Sequence, residues 1–419
     1  MYDWANSSYN LVINTAIFPI YYTSITQSAN SNGIVDFFGV EILNSVLYSY
    51  SLSFAYLVSV FLLPLLSGIS DYSGRKMVFL KVFTCLGAFS CIGMFFFTSL
   101  TLEWGILCVI SACVGYSTSL VFYDAYLPSI VGKKDVARVS GLGYAYGYAG
   151  SAILMIGSLA LINYHTYFGF EDAGIATRTV FLLVGIWWIG WALIPFNKLT
   201  NIQTVKNNGN VILQGYYEIR DIFQELKGLA SMKWYLLSFF FFNMGVKTVM
   251  LMATLFASIE LDLRANQLIP ILLIIQFLAM IGSIGFARLS AIKGNIFSLS
   301  VMGFIWAGVC VWVFFITEPT TFYFLTIIVG LVMGGSQALA RATFARLVPN
   351  QGGHETSFYS FFDVVFHLST VFGMLGFGLI NQLTGSMRNS SFVLAGFFIL
   401  SLILLLSKVQ MDDERTATA

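Results

Sequence analysis

"GISDYSGRK", Gly68 to Lys76, places an acid, an arginine, a lysine and two glycines in nine residues. Apolar chain flanks it on both sides: "SFAYLVSVFLLPLLS" leads up to it and "MVFLKVFTCLGAFSCIGMFFF" leads away. A polar island between two runs that are each long enough to cross a bilayer reads as the hairpin between two membrane-spanning helices. Lys and Arg stay preferentially on the cytoplasmic side, so Arg75 and Lys76 put this hairpin inside.

The whole chain has the same character. Of 419 residues, 58% are hydrophobic and 10% charged, against roughly 25% charged in soluble domains. A net charge of +1 from 21 basic and 20 acidic residues offers no basic face to nucleic acid and no acidic tail to a cationic partner. Cys85, Cys91, Cys108, Cys113 and Cys310 lie in apolar runs without a CxxC pair and read as packing residues. The N-terminus shows no basic leader or small-residue cleavage site, so the first apolar segment is expected to stay.

A hydrocarbon core about 30 Å thick needs around 20 mostly apolar helical residues, because backbone polar groups there must be satisfied within the helix. Twelve such runs occur, at 4–27, 42–68, 77–99, 102–128, 140–163, 178–197, 234–259, 268–289, 296–317, 320–347, 356–382 and 390–408. The expected fold is all-α and integral to the membrane, with twelve transmembrane helices in two pseudo-symmetric six-helix bundles. Residues 1–197 form the N-terminal bundle, 198–233 a cytoplasmic linker, and 234–419 the C-terminal bundle with a short cytoplasmic tail. In the linker, Ile219, Ile222, Phe223 and Leu226 recur at helical spacing opposite Glu218, Asp221 and Glu225. That pattern suits either an amphipathic helix on the inner membrane surface or a mere spacer. Even-to-odd connections hold most of the basic residues, including Lys81, Lys133, Lys134, Arg138, Lys206, Arg220, Lys227, Arg288, Lys293 and Arg346. The odd-to-even ones hold only Arg178, Arg264 and Arg388, so both termini are expected to be cytoplasmic.

The opening stretch resembles the loop signature of the major facilitator superfamily, a glycine followed by D-x-x-G-R-K, on Gly68, Asp71, Gly74, Arg75 and Lys76. The resemblance implies a gate latch: Gly68 allows close helix approach, Gly74 a tight turn, and Asp71 faces N–H groups at another helix start. The plainer reading is a loop that the positive-inside rule holds in place. "GFARLSAIKGN", Gly285 to Asn295, is the degenerate copy in the second half, with Arg288 at the position of the acid and therefore a weak second latch.

"YDWANSSYN" at 2–10 is similar to the opening of the vacuole-effluxer family within that superfamily. So are "YDAYLPSI" at 123–130, "RVSGLGYAYGYAG" at 138–150, "MGVKTVMLMATLF" at 244–256 and "GGSQALARATFARLVP" at 334–349 followed by "ETSFYSFFD". The resemblance implies a transporter; fungal members export amino acids from the vacuole. This chain departs from the family pattern in helix 7, where Met244 follows Asn243 in place of an acid and Lys247 replaces a neutral polar residue.

Ionisable residues at membrane depth cost something like 2.5 to 3.5 kcal/mol on insertion scales and so face a cavity or a partner. Here they form stripes: Asp3, Ser7, Asn10 and Asn14; Ser140, Tyr144, Tyr148 and Ser151; Asn243, Lys247 and Thr254; Tyr359, Asp363, His367 and Thr370. "SLVFYDAYLPSIV" (119–131) aligns without gaps on "SQALARATFARLV" (336–348), which makes Asp124 and Arg341 equivalents on helices 4 and 10. Transporter repeats place their site at the repeat interface, so the two are expected to face one cavity. Arg341 would anchor a substrate carboxylate, and Asp124 would accept a proton or the substrate's amine. Asn10, Asn14, Tyr144, Tyr148, Asn243, Lys247 and Gln337 would complete the site. The static alternative pairs Arg341 with Asp363, and Asp124 with a tyrosine or Lys247.

His367 reads as a proton relay with Asp363 or as a packing histidine, and Asp3 as a proton-coupling or substrate group or a helix cap. Gly143, Gly147, Gly150, Gly330, Gly334 and Gly335 read as close-packing positions, with helix bending the alternative. Trp4, Trp104 and Trp234 read as interface anchors.

No GxxxxGK[ST], HExxH or GxSxG is present, and His165, His354 and His367 form no catalytic pattern. The sequence therefore reads as a secondary active transporter rather than an enzyme, with no cofactor and no metal. It would be a monomer in a bacterial cell membrane, moving a small polar solute, amino acids among the candidates, outward by alternating access with a coupling proton. The rival readings are a lipid or lysolipid carrier of the same fold, a membrane nutrient sensor and an intramembrane enzyme.

Overall fold

The computed structural model describes residues 1–29, 34–132, 135–199, 217, 220–221, 223–226, 228–261, 265–349, 355–384 and 387–409. Lys133, Lys134, Lys206, Glu218, Ile219, Ile222, Lys227, Arg264, His354 and the Thr254 side chain, all used above, lie outside the described residues. Among the described residues there are twelve long helical stretches. The first, α1, is continuous through Tyr2–Ser8, Tyr9–Ile17 and Phe18–Ala29. The others are α2 (Asn44–Ser73), α3 (Lys76–Gly93), α4 (Leu102–Asp124), α5 (Val136–Asn163), α6 (Ala173–Lys198), α7 (Ala230–Glu260), α8 (Ala265–Lys293), α9 (Asn295–Phe315), α10 (Pro319–Leu347), α11 (Glu355–Thr384) and α12 (Met387–Lys408). Eleven of them, α2 to α12, are long and apolar enough to cross a membrane. The exception, α1, has about 42 Å of length at 1.5 Å per residue, but Asn6, Ser7, Ser8, Asn10 and Asn14 make it more polar than the others.

The turn that decides the fold is tighter than its sequence suggests. Helix α2 does not stop near residue 68 but runs on to Ser73, and Gly74 alone reverses the chain at φ 64°. Arg75 N–H returns to Ser70 O at 3.2 Å and Gly74 N–H to Asp71 O at 3.3 Å, the paired bonds that close a helix on a left-handed residue. Asp71 and Lys76 are thereby buried while Arg75 is exposed. The second-half counterpart also turns on a glycine of positive φ but with a different backbone: Gly294, at φ 87° and ψ 160°, separates α8 from α9, and its N–H bonds Ser290 O at 2.9 Å. Counting back from that glycine puts Ala291 where Asp71 stands, so the second turn has no acid, and Arg288 is exposed one turn further back.

One element was not anticipated. Between α1 and α2, strands β1 (Ile34–Phe37) and β2 (Val40–Leu43) pair antiparallel through a two-residue turn. Phe38 and Gly39 both take positive φ (51° and 83°), the geometry that matches the twist of a tight hairpin, and Asp36 Oδ1 accepts from Gly39 N at 2.7 Å.

Contacts divide the chain into two units, Met1–Asp124 with Gly143–Asn208, and Ala125–Leu142 with Gly209–Ala419. The boundary falls inside α5, so residues 125–142, part of the first bundle in the sequence division, group with the second unit. Within their respective units α4 and α10 are the innermost apolar helices, with 72% and 67% of the apolar stretch buried against 28–44% in the other spans. That is the pairing the internal alignment of residues 119–131 on 336–348 implies.

In the first unit the core is aromatic: Tyr9 packs on Tyr116 and Trp188, and Phe18 on Tyr48, Phe97 and Phe181. Trp4, read from the sequence as an interface anchor, stacks on Trp187 at 5.7 Å and meets Trp191 edge-on, and Gly147 and Gly150 let α5 lie directly on α1 beside it. In the second unit α8 and α10 approach so closely that a Cβ at Gly334 would overlap the Ala279 backbone. At one end Arg388 clamps three helices, binding Glu260 of α7 at 2.9 Å and Ile316 O just past α9 from the start of α12. In the linker, the described residues Tyr217, Arg220, Asp221, Phe223 to Leu226 and Gly228 are helical, and Phe223 packs on Phe361 of α11.

Gly334→Leu should force α8 and α10 apart at a cost of about 3 kcal/mol, seen as a lower thermal midpoint and loss of monodisperse protein in detergent. Gly157→Ala is the control: nothing lies within 4 Å of its Cβ position, so the change should be neutral or stabilise by about 0.5 kcal/mol.

Candidate functional site

The first unit presents a polar face on α1 where the helix changes pitch. Residues Tyr9–Ile17 form a π-helical segment, with Phe18 N–H reaching back five residues to Ile13 O. The cause lies in the sequence: Pro19 has no N–H, and its ring would clash with the carbonyl four residues earlier, Thr15, so a wider turn relieves the contact. π-helical stretches inside α-helices recur at functional sites. Widening leaves Asn10 and Asn14 half-buried, Asn14 Nδ2 donating to Asn10 Oδ1 at 3.4 Å, while Thr15 Oγ1 donates to Asn10 O at 2.7 Å.

Below this face Asp3 is buried and accepts from the Tyr123 hydroxyl at 2.7 Å, which ties the start of α1 to the end of α4. Asp124 is the next residue and half-buried, and Tyr144 and Tyr148 of α5 lie ring to ring at 6.1 Å. The structure thus gathers Asp3, Asn10, Asn14, Tyr144 and Tyr148 onto two directly packed helices.

In the second unit α7 and α11 are joined by Asn243. Its Nδ2 donates to Phe366 O at 3.0 Å and Ser369 Oγ at 2.7 Å, so the residue that the stripe assigns to substrate is also a buried helix-to-helix tie. One turn on, half-buried Lys247 holds its ammonium 4.7 Å from the centre of the Phe366 ring. His367 is buried with its ring edge-on to Phe366 at 5.3 Å, and Asp363 is half-buried one turn earlier on α11. Half-buried Gln337 of α10 donates to the Met250 thioether at 3.7 Å.

Arg341 is buried, and two of its five N–H donors go to one residue: Nε donates to Ser140 Oγ at 3.0 Å and an Nη to Ser140 O at 3.3 Å. The Ser140 hydroxyl in turn donates to Ala338 O at 2.7 Å. Ser140 was legible as part of a polar stripe, but its role was not, since its partner is 201 residues away. Phe366 as the platform for Lys247 was missed altogether: one phenylalanine among 40 carries no signal. Among the described residues no group of three His, Cys, Asp or Glu side chains is arranged to hold a metal ion.

Comparison with known proteins agrees with this architecture. A family profile described as vacuole effluxer Atg22 like matches residues 1–418. The uncharacterized MFS-type transporter YxiO of Bacillus subtilis is 29% identical over 97% of this chain and 92% of its own length. Autophagy-related protein 22 of Kluyveromyces lactis is 26% identical over 85% of this chain and 77% of its own. Among solved structures, the major facilitator superfamily transporter FucP superposes with a TM-score of 0.71 at 12% identity, covering 98% of both chains.

Ser140→Ala removes the acceptor for Arg341 Nε and should lower stability by about 2 kcal/mol. Thermal melts of purified protein should show Ser140→Thr recovering most of that loss.

Proposed function

This chain belongs to the vacuole effluxer Atg22-like family, and from that premise we propose that it exports a small polar solute, amino acids first among them, by alternating access. Its family and fold are those of a multi-pass transporter of the major facilitator type and not of an enzyme. The observation that carries the proposal is the set of half-buried polar side chains at membrane depth: Asn10 and Asn14 on α1, Lys247 on α7, Gln337 on α10 and Asp363 on α11. Such groups are too costly to leave against lipid and mark a solute path. The effluxer in the family description and the resemblance to amino-acid exporters support the direction and the class of solute.

Asp124 and Arg341 are the proposed charged pair for a zwitterion, with Asp3, Asp363 and His367 as further candidates to carry the coupling proton. Tyr144, Tyr148 and Asn243 complete the proposed lining. The turn at Gly68, Asp71, Gly74, Arg75 and Lys76 is the proposed latch of the cytoplasmic gate. The bacterial relative supports a cell membrane as the location, and the positive-inside pattern supports cytoplasmic termini. We take the protein to act as a monomer. The charged stripes favour a small polar solute over a lipid or lysolipid.

Purified protein in liposomes loaded with a mixture of labelled amino acids should release them chemically unaltered, faster under an imposed proton gradient. Asp124→Asn and Arg341→Lys should each lower the initial rate by about tenfold or more, the cost of losing one charge-assisted contact. Unchanged rates in both variants would remove the pair from the mechanism.

A further inference from the structure

Two donors in the second unit are under-served. The Lys247 ammonium lies over the Phe366 ring, and among the described residues no carboxylate comes within ion-pair distance of it. An aromatic face shields one side of an ammonium but supplies no lone pair, so a cation at membrane depth is left without a counter-charge. The second donor is Gln337. Among the described residues its amide finds only the Met250 thioether, a weak acceptor. Met250 is three residues beyond Lys247 on the same face of α7, so Gln337 reaches that helix within one turn of the ammonium. Both side chains are half-buried and so remain accessible.

The surroundings fix these groups in place. Asn243, one turn before Lys247, is bonded to α11 through Phe366 O and Ser369 Oγ. One residue after Lys247, Thr248 packs against Gly373 so closely that a Cβ there would overlap its hydroxyl. Lys247 therefore projects from a stretch of α7 that is pinned to α11 on both sides. A cation and an amide held one turn apart, both lacking a good acceptor, form a receptor for a single anionic group with two oxygens. One positive charge matches a monoanion. A phosphate or other dianion would bring excess negative charge into a poorly solvated site.

We infer that Lys247 and Gln337 receive the carboxylate of the transported solute, while the Phe366 ring and Met250 thioether take its apolar body, so the carboxylate rather than the amine is the obligatory group. This rests on the transporter reading above and names a chemical class for it. It moves the carboxylate anchor expected at Arg341 to Lys247, since Arg341 Nε and one Nη already have a structural partner in Ser140, and leaves Asp124 and Arg341 as charged groups of the solute path.

Thermal melts of the purified full-length protein test it with two trios of probes. One is L-leucine, L-leucinamide and 4-methylpentanoate; the other is L-phenylalanine, L-phenylalaninamide and 3-phenylpropanoate; inorganic phosphate serves as a further control. The acids should raise the wild-type midpoint by about 3 °C at saturation, and the amides and phosphate should not. Lys247→Gln should weaken the response to the acids by about tenfold or more, Gln337→Leu by less, and Lys247→Arg should restore it. A purely structural lysine would instead shift the ligand-free midpoint and leave the response to acids unchanged in the folded protein. Acid responses in Lys247→Gln within twofold of wild type, equal responses to acid and amide, or no response of wild type to any acid would each overturn the inference. Liposome flux run in parallel distinguishes the two readings. Binding of acids without flux would count against transport alone, whereas equal flux of leucine and leucinamide would count against the carboxylate receptor alone.

Discussion

In the hydrocarbon core of a bilayer there is no water to accept or donate a hydrogen bond, so every polar group must find its partner within the protein. Most hydroxyls here meet that demand locally: Ser59 donates to Ala55 O, Thr177 to Ala173 O and Ser300 to Ile296 O, each one turn back on its own helix. These bonds neutralise polar atoms without linking helices, so cohesion must come from contact. Because lipid is as apolar as the side chains it would replace, that contact depends on close approach, and glycines such as Gly334 and Gly147 provide it.

Against that background the cross-helix hydrogen bonds stand out. Tyr123 reaches Asp3, Trp306 reaches Ser336, Asn295 reaches Thr343, Asn243 reaches Ser369 and Arg341 reaches Ser140. With the local option open to every hydroxyl, a bond between helices specifies which helices are neighbours and at what height. All five pairs involve α4, α7 or α10, the helices that carry the candidate solute-binding groups or lie beside them. Rigidity is thus placed next to the exposed polar atoms, where a solute has to be read by geometry.

The parts of the fold legible in the sequence were those fixed by composition over long windows. Twelve apolar runs, the polar link after residue 197 and the equivalence of helices 4 and 10 all follow from bulk hydropathy or from an ungapped internal match. Features set by a single residue acting at a distance were not legible. Nothing near Ser140 points to Arg341, and nothing near Trp4 points to its stack on Trp187 or to the close approach of α5 at Gly147 and Gly150. The wide turn in α1 was readable in principle from Pro19, although the proline marks only where the helix must yield and not that it yields toward the N-terminus. The hairpin at residues 34–43 escaped because its turn has Phe38, a residue that rarely accepts positive φ, in place of the usual asparagine or aspartate.

The turns at Gly74 and Gly294 show how far pseudo-symmetry reaches. Both reverse the chain at a positive φ, but Gly294 has an extended ψ of 160° and its N–H bonds Ser290 O, so the two halves share the glycine and not the turn geometry. Their chemistry differs. The first turn buries a carboxylate, Asp71, and a lysine, Lys76, beside it. The second is bound by neutral groups, with Ser290 donating to Asn295 Oδ1 and Asn295 Nδ2 to Thr343 Oγ1 at 3.1 Å, joining α8, α9 and α10. A buried charge must be matched wherever it goes, so its energy depends steeply on what faces it, whereas a closed neutral network is satisfied within its own unit. The first turn is therefore the one whose energy depends on what faces its buried charges, whereas the second is held by neutral bonds within its own unit.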